Sequence, residues 1–178
     1  MSHWTCYVLV PLKTFAEGSS SVEDYIANVL TPYDDSLEVE EHEEPCDECY
    51  DFYALRNGRT NKRRKPNPKC KKCHGSGVVL TTANPNREWE TWEIGGIMGG
   101  FGKSEVPFIL LSAFLKKNKR TPKDDPDKIP AAIVDLGGKW HGGLYLDTNY
   151  YATSWAKEFW DVCTSSSLDT VVYLCDMR

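Results

Sequence analysis

Apolar and polar positions along this chain fall into segments with recognisable periods. Trp4 to Pro11 (Trp-Thr-Cys-Tyr-Val-Leu-Val-Pro) is an apolar, β-branched and aromatic run closed by proline, the pattern of a buried strand. Cys6 sits in it as a small hydrophobe. Val22, Tyr25, Ile26, Val29 and Leu30 recur at the spacing of one helix face; Ser20 with Glu23 reads as a capping box and Pro32 as the stop. Trp89 to Ile94 alternates roughly like a strand and runs into a glycine-rich loop. The length and basic C-terminal turn of 104–117 suggest a helix, although its Val-Pro-Phe-Ile-Leu-Leu start also reads as extended. Ala131 to Asp135 and Lys139 to Leu146 flank Leu136-Gly137-Gly138, a hairpin signal. Trp155, Ala156, Phe159, Trp160 and Cys163 share one face of a second helix, and Thr170 to Cys175 closes as a strand.

Without insertions the order is strand, helix, strand, strand, helix, strand. That order predicts an α+β fold of the ferredoxin-like split βαβ type, with two helices on one face of an antiparallel sheet. The core domain is expected over 1–44 and 81–178, interrupted by a four-Cys zinc module at 45–80. A second insertion is expected over 104–127.

Composition narrows the class. With 178 residues, 40% of them hydrophobic and 26% charged, the chain suits one globular domain carrying a small insert. Its longest apolar stretch, Val106 to Leu115, is half the ~20 residues of a membrane helix. The first residues show neither a basic n-region nor a small-residue cleavage site, so a reducing cytoplasm is expected and seven Cys point to thiol or metal chemistry. The net charge of −5 hides two blocks: 34–51 holds ten acids and no Lys or Arg, and 52–72 holds nine Lys or Arg and no acid. These blocks either neutralise each other or leave Arg56, Arg59, Lys62, Arg63, Arg64 and Lys65 to face an anionic partner such as nucleic acid.

The most specific motif is Cys46-Asp-Glu-Cys49 followed, after twenty residues, by Cys70-Lys-Lys-Cys73. Two thiolates separated by two residues point into one tetrahedron, and two such knuckles complete a four-sulfur shell for zinc. With every vertex taken, the ion is structural, since a catalytic zinc keeps one position for water or substrate. His74 is read as lying outside the shell, and Lys69, Lys71 and Lys72 as offsetting the anionic cluster. Gly75 and Gly77 supply the tight turn, Val78 to Leu80 leaves as a strand, and Tyr50, Phe52, Tyr53 and Leu55 form a miniature core.

The run from Ile94 to Ser104 ends like a phosphate-binding loop, but Gly96 lies one residue too far from Gly102 for that motif. Gly95, Gly96, Gly99, Gly100, Gly102 and Lys103 remain a possible nest for a ligand phosphate. His141 reads as a surface strand residue rather than a base, and Cys163 and Cys175 as buried small hydrophobes. The six Trp are core or interface material, an exposed subset of which would mark a partner surface.

The order of these features resembles a family of small uncharacterised proteins of tailed bacteriophages and their prophages. The resemblance rests on Leu30-Thr-Pro-Tyr-Asp-Asp-Ser-Leu-Glu-Val39, on the knuckle Cys70-Lys-Lys-Cys-His-Gly-Ser-Gly77, and on Asn84-Pro85 followed by Trp89 to Gly96. Where that family continues Gly-Gly-Arg-Trp, this chain has Gly96-Ile97-Met98. The knuckle is also similar to one zinc repeat of DnaJ-type chaperones. The closed four-Cys site, the charge-polarised insert and the lack of a legible catalytic constellation point, beside this resemblance, to a zinc-stabilised phage accessory protein that acts by binding, with enzymatic activity left open and disfavoured. It is expected to bind a host or viral protein or nucleic acid, in takeover or counter-defence. The alternative is a small enzyme or sequestering protein that holds a nucleotide-like phosphate on the Gly95 to Lys103 loop. Oligomeric state stays open.

Overall fold

A computed structural model describes residues 4–50, 65–95, 106–119, 129–142 and 149–177, with the backbone alone for 149–153. The strands are β1 (Trp4–Pro11), β2 (Glu38–Pro45), β3 (Val78–Ala83), β4 (Trp92–Ile94), β5 (Phe108–Leu110), β6 (Ala132–Val134), β7 (Trp140–Gly142) and β8 (Thr170–Met177). The helices are α1 (Leu12–Glu17), α2 (Ser19–Leu30), α3 (Leu111–Lys117) and α4 (Asn149–Ser165). The chain divides into two compact units, Met1–Asp35 with Asn86–Arg178 and Ser36–Pro85. The 45–80 segment expected to bind metal lies inside the smaller unit, which β2 and β3 lengthen.

The larger unit is a mixed α+β structure around a six-stranded sheet ordered β4-β8-β1-β6-β7, with β5 also paired to β8. β1 and β8 run antiparallel from Trp4↔Met177 to Pro11↔Thr170. β4 and β5 share the other edge of β8, at residues 175–177 and 171–173 respectively.

The sheet differs from the split βαβ arrangement. There, an antiparallel strand would separate β1 from its parallel partner, whereas β1 and β6 are direct parallel neighbours through Cys6↔Ala132 and Val8↔Val134. Burial explains the choice. Every residue of β6 is buried, while β7 is only partly so, which places β6 beside the buried β1 and β7 at the rim.

The helices also cover both faces rather than one. Cys6, Val8 and Val10 of β1, with Val171, Tyr173 and Cys175 of β8, pack beneath Val22, Ile26 and Leu30 of α2. Leu9, Ile133 and Val172 point the other way, against Leu111 and Phe114 of α3 and Trp155, Phe159 and Trp160 of α4. A strand that is apolar at successive positions, as β8 is, requires cover on both sides.

Three local expectations shift. The capping box does not form: Gly18, at φ +115°, links α1 to α2, and the helix begins at Ser19 with no side-chain cap. The helix expected over 104–117 begins at Leu111. Phe108–Leu110 is instead strand, held on β8 with Phe108 5.3 Å from Tyr173 and 5.0 Å from Phe15. The 89–94 strand is confined to Trp92–Ile94, and Trp89 bridges Asp34.

Gly142 shows why the hairpin ends in glycine. It sits at φ +93°, and a Cβ there would lie 2.6 Å from the Ala131 carbonyl oxygen and 2.9 Å from the Trp155 ring. No larger residue fits without displacing the backbone.

Candidate metal centre

In the smaller unit β2 and β3 form a two-stranded ribbon from Pro45↔Val78 to Glu38↔Ala83, and one cysteine knuckle follows β2 while the other precedes β3. The Cys46 N–H donates to the Gly77 carbonyl at 2.9 Å, so the ribbon register fixes one knuckle against the other. His74 (φ +51°), Gly75 (φ +88°) and Gly77 (φ +83°) turn the chain through the left-handed region immediately after Cys73. A Cβ on Gly77 would meet the Tyr50 hydroxyl at 2.8 Å and Pro66 at 3.0 Å, so the second glycine permits a close approach as well as a turn.

The result is a cluster of four buried thiols, Cys46, Cys49, Cys70 and Cys73, whose sulfurs all lie within 4.8 Å of one another. Cys46 Sγ is 3.7 Å from Cys70 Sγ, and Cys49 Sγ is 3.5 Å from Cys73 Sγ. A tetrahedron with metal–sulfur bonds near ~2.3 Å has edges of about 3.8 Å, so the sulfurs stand close to the positions a four-coordinate ion requires. The cluster can therefore hold a metal ion with no vertex left over.

Surrounding groups tune the sulfurs. Burial raises the Cys73 thiol, but the Gly77 N–H at 3.3 Å, the Cys49 thiol and the Gly75 N–H bring it down to about 6. The Cys73 and Lys72 N–H groups lower the Cys70 thiol, yet burial and the Glu48 carboxylate at 3.3 Å push it up to about 12. Binding a divalent ion holds all four as thiolates.

Lys72 is held chiefly by Asp47, and the Cys46 thiol adds a further attraction to its ammonium, in keeping with a part in charge offset. Its ammonium donates to both Asp47 oxygens, at 2.7 and 2.9 Å, tying one knuckle to the other. Lys69, Lys71 and His74 are exposed. Tyr50 packs on the thiols together with Val79, which the sequence reading had not placed there; Phe52, Tyr53 and Leu55 lie outside the described residues.

No protein-family model, curated protein or solved structure matches this chain.

The other sequence-derived sites fare differently. Arg56, Arg59, Lys62, Arg63 and Arg64 lie outside the described residues, and Lys65 is exposed. Of the glycine-rich loop, Gly96, Gly99, Gly100, Gly102 and Lys103 also lie outside them. Gly95 is buried at φ +82°, and its N–H donates to the Leu174 carbonyl at 2.9 Å, which commits that amide to the sheet rather than to a phosphate.

None of the six Trp belongs to the exposed surface. Trp4, Trp89, Trp155 and Trp160 are buried, and Trp92 and Trp140 are half-buried against the core. Cys6, Cys163 and Cys175 are fully buried, and burial pushes the Cys175 thiol up to about 12. An apolar interior explains all three.

His141 departs from the surface-residue reading. Its side chain is only 10% exposed and is clasped on both sides, Nε2 lying 2.9 Å from Asp135 Oδ2 and Nδ1 2.9 Å from Glu158 Oε1. Asp135 is in turn fixed by the N–H groups of Gly137 (2.8 Å) and Lys139 (3.0 Å). Together with Leu136, Asp161, Val162 and the serines at 165–167, these residues line an open cavity of about 460 Å³. The signal for it was faint, since Asp135, His141 and Glu158 come from a turn, a strand and a helix. The cluster ties the β6–β7 hairpin to α4 through the His141 ring, which lies within hydrogen-bond distance of both carboxylates.

Proposed function

We propose that this chain is a zinc-stabilised accessory protein of the tailed-phage type its motifs resemble, acting in the host cytoplasm by binding a host or viral macromolecule. One observation supports the reading: four buried sulfurs that lie within 4.8 Å of one another, enough to supply all the ligands of a four-coordinate ion. A four-thiolate set of this shape favours zinc over harder cations. A closed shell of this kind supplies folding free energy rather than a reactive water. The chain's ordered small unit then serves as a display surface, and takeover or counter-defence is the role that the phage resemblance suggests.

Native mass spectrometry of the full chain should find one zinc ion per chain. The zinc-loaded chain should form a stoichiometric complex when mixed with host or infected-cell extract, and a Cys70→Ser chain should not. Retention of a nucleotide through purification, or turnover of one, overturns the reading in favour of the phosphate-binding alternative. A smaller unit that stays ordered without metal overturns the structural role of the ion.

A further inference from the structure

Among the described strands, β2 and β3 pair only with each other, and one face of their ribbon carries exposed side chains. The register defines that face. Pro45 opposes Val78 and Glu43 opposes Leu80, all four exposed, while the alternate pair Glu44 and Val79 is partly buried. Glu41 extends the exposed set along β2. Leu80 is 64% exposed, the highest value among the exposed large apolar side chains of the described residues. A two-stranded ribbon is marginal in water by itself, and strands left open usually carry lysine to discourage pairing. This one carries glutamate and leaves leucine and valine uncovered beside it.

Charge decides what fits. β2 itself carries Glu38, Glu40, Glu41, Glu43 and Glu44 and no Lys or Arg, so the strand favours cationic groups beside it. We propose that the exposed face of the β2–β3 ribbon docks an extended, Lys/Arg-rich protein segment. Basic side chains of the partner meet Glu41 and Glu43, and intervening apolar ones cover Val78 and Leu80. Exposed ion pairs are individually weak and screened by salt, so the carboxylates supply selection and orientation while cover of Leu80 supplies much of the affinity. The inference rests on the reading of this chain as a binding protein, and it names the kind of partner.

The test uses zinc-loaded full-length protein and fluorescence anisotropy with three probes: an eight-residue peptide alternating lysine and valine, its glutamate–valine counterpart, and a single-stranded oligonucleotide. The lysine–valine peptide should bind, weakening by about tenfold between low and high salt because exposed charges are screened. E41K with E43K should lower its affinity by about tenfold and confer binding of the glutamate–valine peptide, the reversal expected of charge complementarity. Leu80→Ser should weaken binding by about threefold to tenfold with salt dependence retained, the signature of lost apolar cover.

Bound metal is measured for each variant, so loss of the zinc unit is distinguishable from loss of the docking face. Intact zinc-loaded protein that ignores the lysine–valine peptide at millimolar concentration overturns this inference and leaves the zinc reading standing. So does preferential binding of the oligonucleotide that survives E41K with E43K. Peptide binding that emerges only after Arg63, Arg64 and Lys65 are replaced by Ala overturns it as well, naming the chain's own basic block as the occupant.

Discussion

In the larger unit, β1 and β8 carry apolar side chains on both faces and are covered by α2 on one side and by α3 and α4 on the other. In the smaller unit, β2 and β3 leave Leu80 and several glutamates in water, and the buried apolar positions among the described residues are the four cysteines. The first unit is held by displaced water and close packing, whereas the second has four clustered sulfurs that can hold a metal ion in place of an apolar core. Such a division predicts that the two respond to different perturbations.

The largest effect is expected from the metal. Structural zinc supplies about 10 to 16 kcal/mol of apparent free energy, far beyond what Tyr50 and Val79 offer. Chelation, or Cys70→Ser, should therefore unfold the smaller unit while the larger keeps its dispersed amide spectrum. Simultaneous collapse of both would break the comparison. Phe159, fully buried between Tyr7, Phe114, Trp155 and Trp160, probes the other side. Phe159→Ala should cost about 3 to 5 kcal/mol in the larger unit's denaturant transition with zinc content unchanged.

Gly142→Ala follows, at about 1 to 3 kcal/mol, since it combines a left-handed backbone with a blocked Cβ position. A cost near zero would mean that the hairpin yields there.

Asp135 sharpens the comparison through pH. Burial raises its carboxyl, but His141 and the N–H groups of Lys139 and Gly137 outweigh that and hold it below the usual range. A depressed folded value adds stability above the unfolded value near ~4, and that stability disappears as pH falls through the folded one. Acid titration should thus weaken the larger unit more steeply than it weakens Asp135→Asn, whose acid limb should be flatter. Parallel limbs would mean that the clasp contributes nothing. The smallest effect belongs to Lys72→Met: its pair with Asp47 is 44% and 56% exposed, so water and salt screen it and the denaturant transition should scarcely move.

These contrasts track what the sequence made legible. The buried strands at 4–11 and 170–177, the amphipathic faces of α2 and α4 and the Cys-x-x-Cys knuckles are local patterns, and each stands where its period placed it. Topology was less readable, because split and adjacent parallel arrangements share one order of elements. The deciding signal was present in Thr-Val-Val-Tyr-Leu-Cys: a strand with no polar face demands layers on both sides. β2 was missed because Glu-Val-Glu-Glu-His-Glu-Glu-Pro has almost no strand propensity, and only its pairing with Val78 to Ala83 makes it a strand. The Asp135–His141–Glu158 clasp was illegible for a related reason, since its three members meet only after the sheet has formed.

The pairing of Trp4 with Met177 sets a schedule for synthesis. A nascent chain that has emerged as far as Pro85 already owns both knuckles and both ribbon strands, and can load its ion on the ribosome. β1 can meet β6 before β8 is made, but β8, its antiparallel neighbour, lies at 170–177, so the central sheet is incomplete until those residues are made. Until then its apolar edge is the business of whatever shelters newborn polypeptides.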